Sequence, residues 1–297
     1  MELCLGTVQL GMRYGIQNNG RPDRKEIDAI LSTALENGIC WFDTAPVYGE
    51  AESILGRYIS EHPERAEHMR IISKLAANAF FGIPRKDWSR AVLEHIQTTL
   101  ERLHKQCIAV YMFHNAAHIF DADAVKALET ARQEGLAERI GVSIYTPEEA
   151  MRALAYPQIS VIQIPYNVFD RRLDRCGFFA EAKKKNVRIY ARSTLLQGLL
   201  TMTPERLPVH MKFAAPYVEK FHSICIRGSI SPLRAAVGFV KSHQDIHYLV
   251  FGSDNERQLH EYLSIAAETL SPKVVNELNN EFDVVEERLV NPSLWNG

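Results

Sequence analysis

The chain has 297 residues, of which 46% are hydrophobic and 24% are charged. This composition is typical of a globular protein and excludes a disordered or fibrous chain. The formal net charge is -2 with both signs mixed along the sequence, so no basic surface indicates binding to nucleic acid or to a membrane.

The cysteines and the N-terminal segment bear on the cellular compartment. The five cysteines are scattered and show neither a disulfide pattern nor the spacing of zinc ligands. The N-terminal sequence has no basic region followed by a long apolar run, and no window reaches the roughly 18 apolar residues that a membrane span needs. We therefore expect a cytoplasmic protein.

The predicted elements alternate between strand and helix along the whole chain. Apolar runs typical of buried strands occupy residues 1–6, 39–43, 70–75, 107–114, 139–145, 160–166, 187–193 and 247–253. Helical spacing of apolar residues occurs at residues 23–38, 50–61, 87–104, 122–134, 147–155, 171–185, 231–243 and 255–268. Eight strands alternating with eight helices predict a single α/β domain over residues 1–297, a (β/α)₈ TIM barrel.

Two segments fall outside this alternation. A long connection at residues 201–229 separates the seventh strand from its helix, and residues 271–297 form a tail with an extra helix. Long excursions from a compact domain are often functional lids. Either segment is a candidate cover for the barrel mouth.

Polar residues stand at the ends of the predicted strands. In a barrel of this type, the carboxyl ends of the strands and the loops that follow them form the active face. These positions hold Asp43, Lys74, His114, Ser143, Gln163, Ser193, Gly252 and Ser253, with Tyr48 in the loop after Asp43.

Asp43 ends an apolar strand, so its carboxylate needs a partner at a buried position. We expect Lys74 to neutralise it, and the same ammonium to lower the pKa of Tyr48 by stabilising the phenolate. A phenol tuned in this way can act as a general acid near neutral pH. Taken alone, Asp43 and Lys74 equally suit a structural ion pair, and a single histidine such as His114 suits the core. Their occurrence together with Tyr48 favours catalysis.

At these positions the sequence resembles the aldo-keto reductases. The segment FDTAPVYGEAESILG matches the family's Asp-Thr-Ala-x-x-Tyr-Gly motif, and ISKL, YMFHN, GVS, QIPYN and LLQGLL follow in the family's order. The resemblance implies hydride transfer between a nicotinamide cofactor, usually NADPH, and a carbonyl carbon, with no metal required. It also implies that Tyr48 protonates the carbonyl oxygen, adjusted by Lys74 and Asp43. His114 would orient the substrate.

The same resemblance implies a cofactor site, in which Ser143 and Gln163 hold the nicotinamide carboxamide. The full set of implied contacts is Ser143, Gln163, Arg192, Ser193, Gly198, Gly252, Ser253 and Arg257. Two residues depart from the family pattern: Ile144 replaces a common Asn, and Arg192 replaces an aromatic residue that stacks on the nicotinamide. A guanidinium can also stack on a flat ring.

The segment FGSDNERQL bears on the choice between NADPH and NADH. Arg257 is placed to meet a 2′-phosphate, which favours NADPH. Gly252 stands where a basic residue is common in the family, so NADH is retained as the alternative.

The leading interpretation is a reductase, or a dehydrogenase running in reverse, that acts on a small-molecule aldehyde, ketone or sugar-like carbonyl. The alternative is a regulatory protein that binds the nicotinamide cofactor and senses its redox state with little turnover, which Ile144 and Arg192 leave open. A metal-dependent barrel hydrolase is disfavoured because the sequence lacks a convincing Asp/His ligand cluster. The sequence makes no prediction of oligomeric state.

Overall fold

Parallel strands form a closed barrel. The computed structural model describes residues 1–16 and 20–295, and in these residues eight parallel strands close the barrel in chain order. The strands are β1 (Glu2–Gly6), β2 (Trp41–Asp43), β3 (Arg70–Leu75), β4 (Ile108–Phe113), β5 (Ala137–Ser143), β6 (Ile159–Pro165), β7 (Arg188–Arg192) and β8 (Tyr248–Gly252). Pairing of β8 with β1 closes the sheet. The predicted α/β barrel is confirmed.

Helices follow the strands and share one apolar core with them. They are α1 (Val8–Gly11), α2 (Arg24–Glu36), α3 (Ala51–Glu61), α4 (Pro63–Ala66), α5 (Trp88–Leu103), α6 (Ala122–Gln133), α7 (Pro147–Leu154), α8 (Phe178–Lys184), α9 (Ala215–Arg227), α10 (Pro232–Lys241), α11 (Glu256–Ala266), α12 (Pro272–Glu281) and α13 (Glu287–Val290). Short 3-10 helices occupy residues 85–87, 116–120, 172–175, 196–201, 204–206, 209–214 and 292–294.

The barrel interior is apolar in the middle and polar at the carboxyl ends of the strands. A separate apolar cluster fills the middle and consists of Cys4, Ile72, Ala109, Val110, Met112, Val161, Tyr190, Tyr248 and Val250, with Trp41 packed against it. Side chains alternate along a strand, so a residue two positions further on faces the same side. The resulting inward positions at or just past the strand ends are Gly6, Asp43, Lys74, His114, Ser143, Gln163, Arg192 and Gly252. The polar residues singled out in the sequence therefore converge on the barrel mouth.

Two sequence predictions of secondary structure are corrected. The connection at residues 201–229 is not a loop throughout, because it contains α9, which packs against α10 and α12. The helix predicted at residues 171–185 is broken at Gly177, whose φ of 75° leaves only α8 as a regular helix. The apolar spacing of Val218, Phe221 and Cys225 signalled α9 in the sequence.

The extra C-terminal helix is present as α12, followed by the short α13. Trp295 in the tail is 4% exposed, and its indole N–H donates to the carbonyl oxygen of Arg288 at 2.8 Å. Trp295 and the α13 residues Leu289 and Val290 also belong to the main apolar core, so the tail is packed against the domain up to this residue. The last two residues of the predicted tail lie outside the described residues.

Candidate active site

A buried ion pair joins the carboxyl ends of β2 and β3. Lys74 Nζ lies 2.8 Å from Asp43 Oδ1 and 2.9 Å from Asp43 Oδ2, and the two side chains are 1% and 5% exposed. The ammonium also donates to the carbonyl oxygen of Thr44 at 3.0 Å and lies 3.3 Å from Tyr48 Oη. The expected partner of Asp43 is therefore in place, and the same ammonium contacts the phenol.

Two glycines allow the loop that carries Tyr48 to approach α1 closely. A Cβ on Gly11 would lie 1.9 Å from the carbonyl oxygen of Tyr48, and a Cβ on Gly49 would lie 2.5 Å from the carbonyl oxygen of Gly11. Gly49 also has a φ of 61°, which favours glycine. The backbone N–H of Glu50 donates to the Gly11 carbonyl at 3.3 Å. These backbone contacts fix the turn, so the position of the phenol does not depend on side-chain packing alone.

The electrostatics of Tyr48 differ from the sequence-based expectation. Burial raises the pKa of Tyr48, and although the nearby Lys74 ammonium lowers it, burial dominates, so the pKa lies above its ordinary value. The predicted lowering is therefore wrong in net direction for the structure described here, because desolvation of the phenolate outweighs the ammonium. Burial also lowers the pKa of Lys74, but the attraction of Asp43 and Tyr48 outweighs it and leaves that pKa raised. Near neutral pH the site thus holds a charged lysine beside a protonated phenol.

His114 is a neutral hydrogen-bonding group at the mouth. Its ring packs edge-on against Tyr48, with ring centroids 5.9 Å apart. Burial, helped by the positive charges of Lys74 and Arg192, lowers the pKa of His114 to about 3. The neutral ring carries one N–H, and its Nδ1 atom is buried without a hydrogen-bond partner among the described residues. His114 can therefore bind a polar ligand group beside the phenol.

The implied cofactor residues of β5, β6 and β7 make two sets of hydrogen bonds at the mouth. Gln163 donates from Nε2 to Asp43 Oδ1 at 2.8 Å, which links β6 to the ion pair. Arg192 donates from Nε to Ser143 Oγ at 3.3 Å and from its terminal nitrogens to Ser193 Oγ at 3.2 Å and to the Ile144 carbonyl at 3.0 Å. The structure therefore brings these side chains together at the mouth.

Arg192 also stacks on a ring of the protein itself. Its guanidinium carbon lies 4.4 Å from the ring centroid of Tyr145, a residue that the sequence analysis did not single out. The expectation that Arg192 offers a flat face to a ligand ring therefore needs refinement, since Tyr145 already covers one face.

The end of β8 is shaped by a residue that sequence reasoning missed, Gln9. A Cβ on Gly252 would lie 2.1 Å from the amide nitrogen of Gln9, so the glycine makes room for this side chain. Ser253 is 1% exposed and donates to the carbonyl oxygen of Asn255 at 2.7 Å. The available signal for Gln9 was a polar residue just past the first strand, in GTVQLG.

Two implied cofactor residues lie apart from the central group. Gly198 has a φ of 95° and follows Gln197, whose carbonyl accepts from the backbone N–H of Ile16 at 3.1 Å. Arg257 is exposed in the first turn of α11. The carboxylate of Glu26 accepts from the backbone N–H of Glu256 at 2.5 Å, so one amide of this helix end is already used.

Several buried polar atoms near the strand ends have no hydrogen-bond partner among the described residues. They are Gln9 Oε1, Thr44 Oγ1, His114 Nδ1, Gln163 Oε1 and Thr194 Oγ1. Buried polar groups are normally hydrogen-bonded, and exceptions call for a ligand or water. This set of acceptors and hydroxyls suits a polar ligand such as the carboxamide and ribose of a nicotinamide dinucleotide.

Grouped metal ligands and membrane-spanning helices are both absent from the described residues. Within residues 1–16 and 20–295, no three or more His, Cys, Asp or Glu side chains are grouped so as to hold a metal ion. In the same residues, every helix is too short or too polar to cross a membrane.

Comparisons with known proteins identify related sequences and a related fold. A sequence profile described as "Aldo/keto reductase family" matches residues 2–281. The chain is 28% identical to aldo-keto reductase YhdN of Bacillus subtilis in an alignment of 210 positions, which covers 69% of this chain and 62% of YhdN. It thus spans less than two thirds of YhdN. It is 24% identical to the uncharacterized oxidoreductase YrpG of the same organism in a gapped alignment of 313 positions, which covers 95% of this chain and 92% of YrpG.

The fold is shared with a solved structure. The Pseudomonas aeruginosa protein PA4992, assigned to the aldo-keto reductases, aligns with a TM-score of 0.65, 22% identity and 89% coverage of both chains. The sequence profile matches nearly the whole chain, and this match establishes family membership. The chain belongs to the aldo/keto reductase family.

Proposed function

We propose that this protein uses a nicotinamide dinucleotide to reduce an aldehyde, ketone or sugar-like carbonyl to an alcohol, or catalyses the reverse reaction. The observation that carries the proposal is the buried Lys74 ammonium, which lies 2.8 Å from Asp43 Oδ1 and 3.3 Å from Tyr48 Oη. A phenol with this neighbour can release a proton because the ammonium stabilises the phenolate that forms.

The protonation states of Tyr48 and His114 fit the reductive direction. The raised pKa of Tyr48 keeps the proton on the phenol until a carbonyl oxygen gains negative charge. His114, held neutral by its lowered pKa, donates its N–H to the same oxygen. When bound, the nicotinamide dinucleotide supplies the hydride. Lys74 and Asp43 act through Tyr48 and are positioning residues.

The implied cofactor residues would hold the dinucleotide at the mouth. Gln163 Oε1 is buried without a partner in the described residues and can accept from the carboxamide. The remaining candidates are Ser143, Arg192, Ser193, Gly198, Gly252 and Ser253. Arg257, exposed at the start of α11, favours NADPH by meeting a 2′-phosphate, whereas the Glu26 carboxylate at the same helix end works against it. We therefore propose NADPH with a modest preference over NADH.

The experiment has a binding arm and a turnover arm. NADPH is titrated into the protein while fluorescence is followed, and absorbance loss is then measured with a panel of aldehydes, ketones and keto sugars. Tyr48→Phe should reduce turnover by about 10²- to 10⁴-fold, the contribution of a general acid, while the Kd of NADPH changes little. Tyr14→Phe is a control, since it removes a hydroxyl that makes no hydrogen bond to Lys74. Full turnover by Tyr48→Phe would exclude it as the proton donor.

A nicotinamide-binding sensor with little turnover is the second candidate. The observation in its favour is Arg192, which stands at the family's nicotinamide-stacking position and is held against Tyr145. NADPH binding without turnover of any carbonyl in the panel would support the sensor. Absence of both NADPH and NADH binding would exclude both candidates.

A further inference from the structure

Arg192 is a partly buried cation without a carboxylate partner among the described residues. Apart from Arg188, every other buried or partly buried arginine of the described residues forms an ion pair with a carboxylate. These arginines are Arg57, Arg70, Arg171, Arg172 and Arg234. Arg188 also lacks such a partner among the described residues, but it lies at the amino end of β7, opposite the mouth. A cation left without a counter-ion at a partly desolvated site favours binding of an anion.

The guanidinium of Arg192 is held in place by neutral groups. Its three hydrogen bonds go to two serine hydroxyls and one backbone carbonyl, and Tyr145 covers one of its faces. A guanidinium has five N–H groups, so three bonds leave two N–H groups free. None of its contacts neutralises its charge. The side chain is thus rigid, charged and still able to donate.

Arg192 lies near the reacting end of the site. It is the inward residue two positions after Tyr190, whose ring fills the barrel interior. Its bond to Ser143 bridges over β6, the strand that carries Gln163. Its charge lowers the pKa of both His114 and Tyr48, although in each case it is not the largest influence. A ligand beside the phenol therefore lies within reach of this charge.

We propose, on the basis of the proposed function, that the substrate carries an oxyanion near its carbonyl group and that Arg192 binds it. The planar guanidinium suits a carboxylate or a phosphate, both of which accept two parallel N–H bonds. A neutral substrate would leave the two free N–H groups and the charge of Arg192 without a partner. Arg192 is then a specificity-determining residue for a keto acid, an aldehyde acid or a sugar phosphate.

The test compares matched acidic and neutral carbonyls. 4-Carboxybenzaldehyde is compared with methyl 4-formylbenzoate, and glyceraldehyde 3-phosphate with glyceraldehyde, so that the two arms separate carboxylate from phosphate. We expect kcat/KM for the preferred anion to exceed that for its neutral partner by about 10- to 100-fold, as for a charge-assisted hydrogen bond. Arg192→Gln should lose most of this ratio through KM. Arg188→Gln, at the other end of β7, should keep it.

Binding measurements provide a readout that does not depend on turnover. Equilibrium dialysis measures 4-(hydroxymethyl)benzoate bound at saturating NADP, and Arg192→Gln should weaken this binding by about 10- to 100-fold. The Kd of NADP should rise by a smaller factor, since Arg192 is also a candidate cofactor contact. If the wild-type protein reduces no carbonyl but binds the anion, and Arg192→Gln loses this binding, the proposed function fails and the anion site stands.

Other outcomes would overturn the anion site. Equal kcat/KM for acid and neutral partner in both arms would do so. So would a loss of NADP affinity in Arg192→Gln with an unchanged acid-to-neutral ratio, because Arg192 would then contact the cofactor. If Arg192→Gln does not fold, the wild-type ratios and their decrease with added salt decide the question.

Discussion

Two consecutive residues of β3 contact two buried carboxylates on opposite faces of the strand. Lys74 points into the barrel and binds Asp43, whereas Ser73 points outward and donates to Glu52 Oε1 at 2.7 Å. The two acidic residues are similarly buried, at 4% and 2% exposure. Sequence position and burial therefore do not separate them.

The surroundings of the two carboxylates differ. Glu52 accepts from Ser73, from Thr99 Oγ1 at 3.1 Å and from Arg102 at 3.1 Å, which fixes α3 between β3 and α5. The partner of Asp43 also contacts a phenol, and polar atoms without partners lie at the neighbouring strand ends.

The comparison shows that a buried ion pair alone does not indicate catalysis. Glu52 also has a phenol near it, Tyr111, but Tyr111 is fully buried. The feature that sets Asp43 apart is that its lysine contacts a phenol, Tyr48, which is partly exposed at the barrel mouth.

The largest expected effect comes from removing the cation at the mouth. Lys74→Met leaves Asp43 buried, with Gln163 as its one side-chain donor among the described residues, so the free energy of unfolding should fall by about 3–5 kcal/mol. Turnover should also be lost, because Tyr48 no longer has its ammonium. Chemical denaturation measures the first effect and the carbonyl panel measures the second.

A double variant serves as the control for this loss. Asp43→Asn combined with Lys74→Met removes both charges and should be more stable than Lys74→Met alone, but equally inactive. Recovery of activity together with stability would mean that the ion pair is structural and that Tyr48 works without it.

The second prediction concerns the outer carboxylate. Glu52→Gln keeps the size of the side chain but weakens the charged bond from Arg102, so the free energy of unfolding should fall by about 1–3 kcal/mol. Turnover at a temperature where the variant is folded should match the wild type. A fall in kcat comparable to that of Tyr48→Phe would show that Glu52, on the outward side of β3, is not purely structural.

The third prediction concerns the pH dependence of the free energy of unfolding, to which His114 at the mouth contributes. The pKa of His114 is lowered to about 3 in the folded chain, whereas that of an unfolded histidine is about 6.5. Between these values the unfolded state binds more protons, so stability falls as the pH falls through this window, by at most about 1.4 kcal/mol per pH unit from this residue. His114→Asn should therefore show a shallower decline than the wild type.

The matched control for this prediction is His260→Asn, which changes an exposed histidine on α11. Its decline between pH 6.5 and 4, measured by denaturation at fixed ionic strength, should follow the wild type. Identical slopes for His114→Asn and the wild type would show that His114 is not held neutral by the fold.

Sequence reasoning located the barrel and the central residues because both depend on short-range patterns. Strand and helix periods alternate along the chain, and Asp43, Lys74 and His114 each end an apolar run. The topology of a parallel barrel then brings the strand ends together without further information. Proximity of these side chains therefore followed from their positions alone.

The features that were missed depend on long-range contacts or on the balance of opposing effects. The direction of the pKa shift of Tyr48 is set by burial against the charge of Lys74, and burial cannot be read from the sequence. The role of Gln9 at Gly252 and the stacking of Arg192 on Tyr145 arise only when separate strands meet. The burial of Glu52 likewise depends on α5, which lies far along the chain.

The smallest expected effect lies at the start of α11. The carboxylate there, Glu26, shares features of both Asp43 and Glu52. Glu26 accepts the backbone N–H of Glu256, as a structural group does, but the next residue of α11 is Arg257, which has the proposed role of meeting a 2′-phosphate. Arg257→Ala should weaken NADPH binding by about 2- to 5-fold, the size expected of an exposed charge pair, and leave NADH unchanged. Glu26→Gln should change NADPH affinity in the opposite direction, since it removes a negative charge from the same helix end. Fluorescence titrations with both nucleotides at two salt concentrations measure these changes, and equal weakening of NADPH and NADH in Arg257→Ala would place Arg257 outside the 2′-phosphate site.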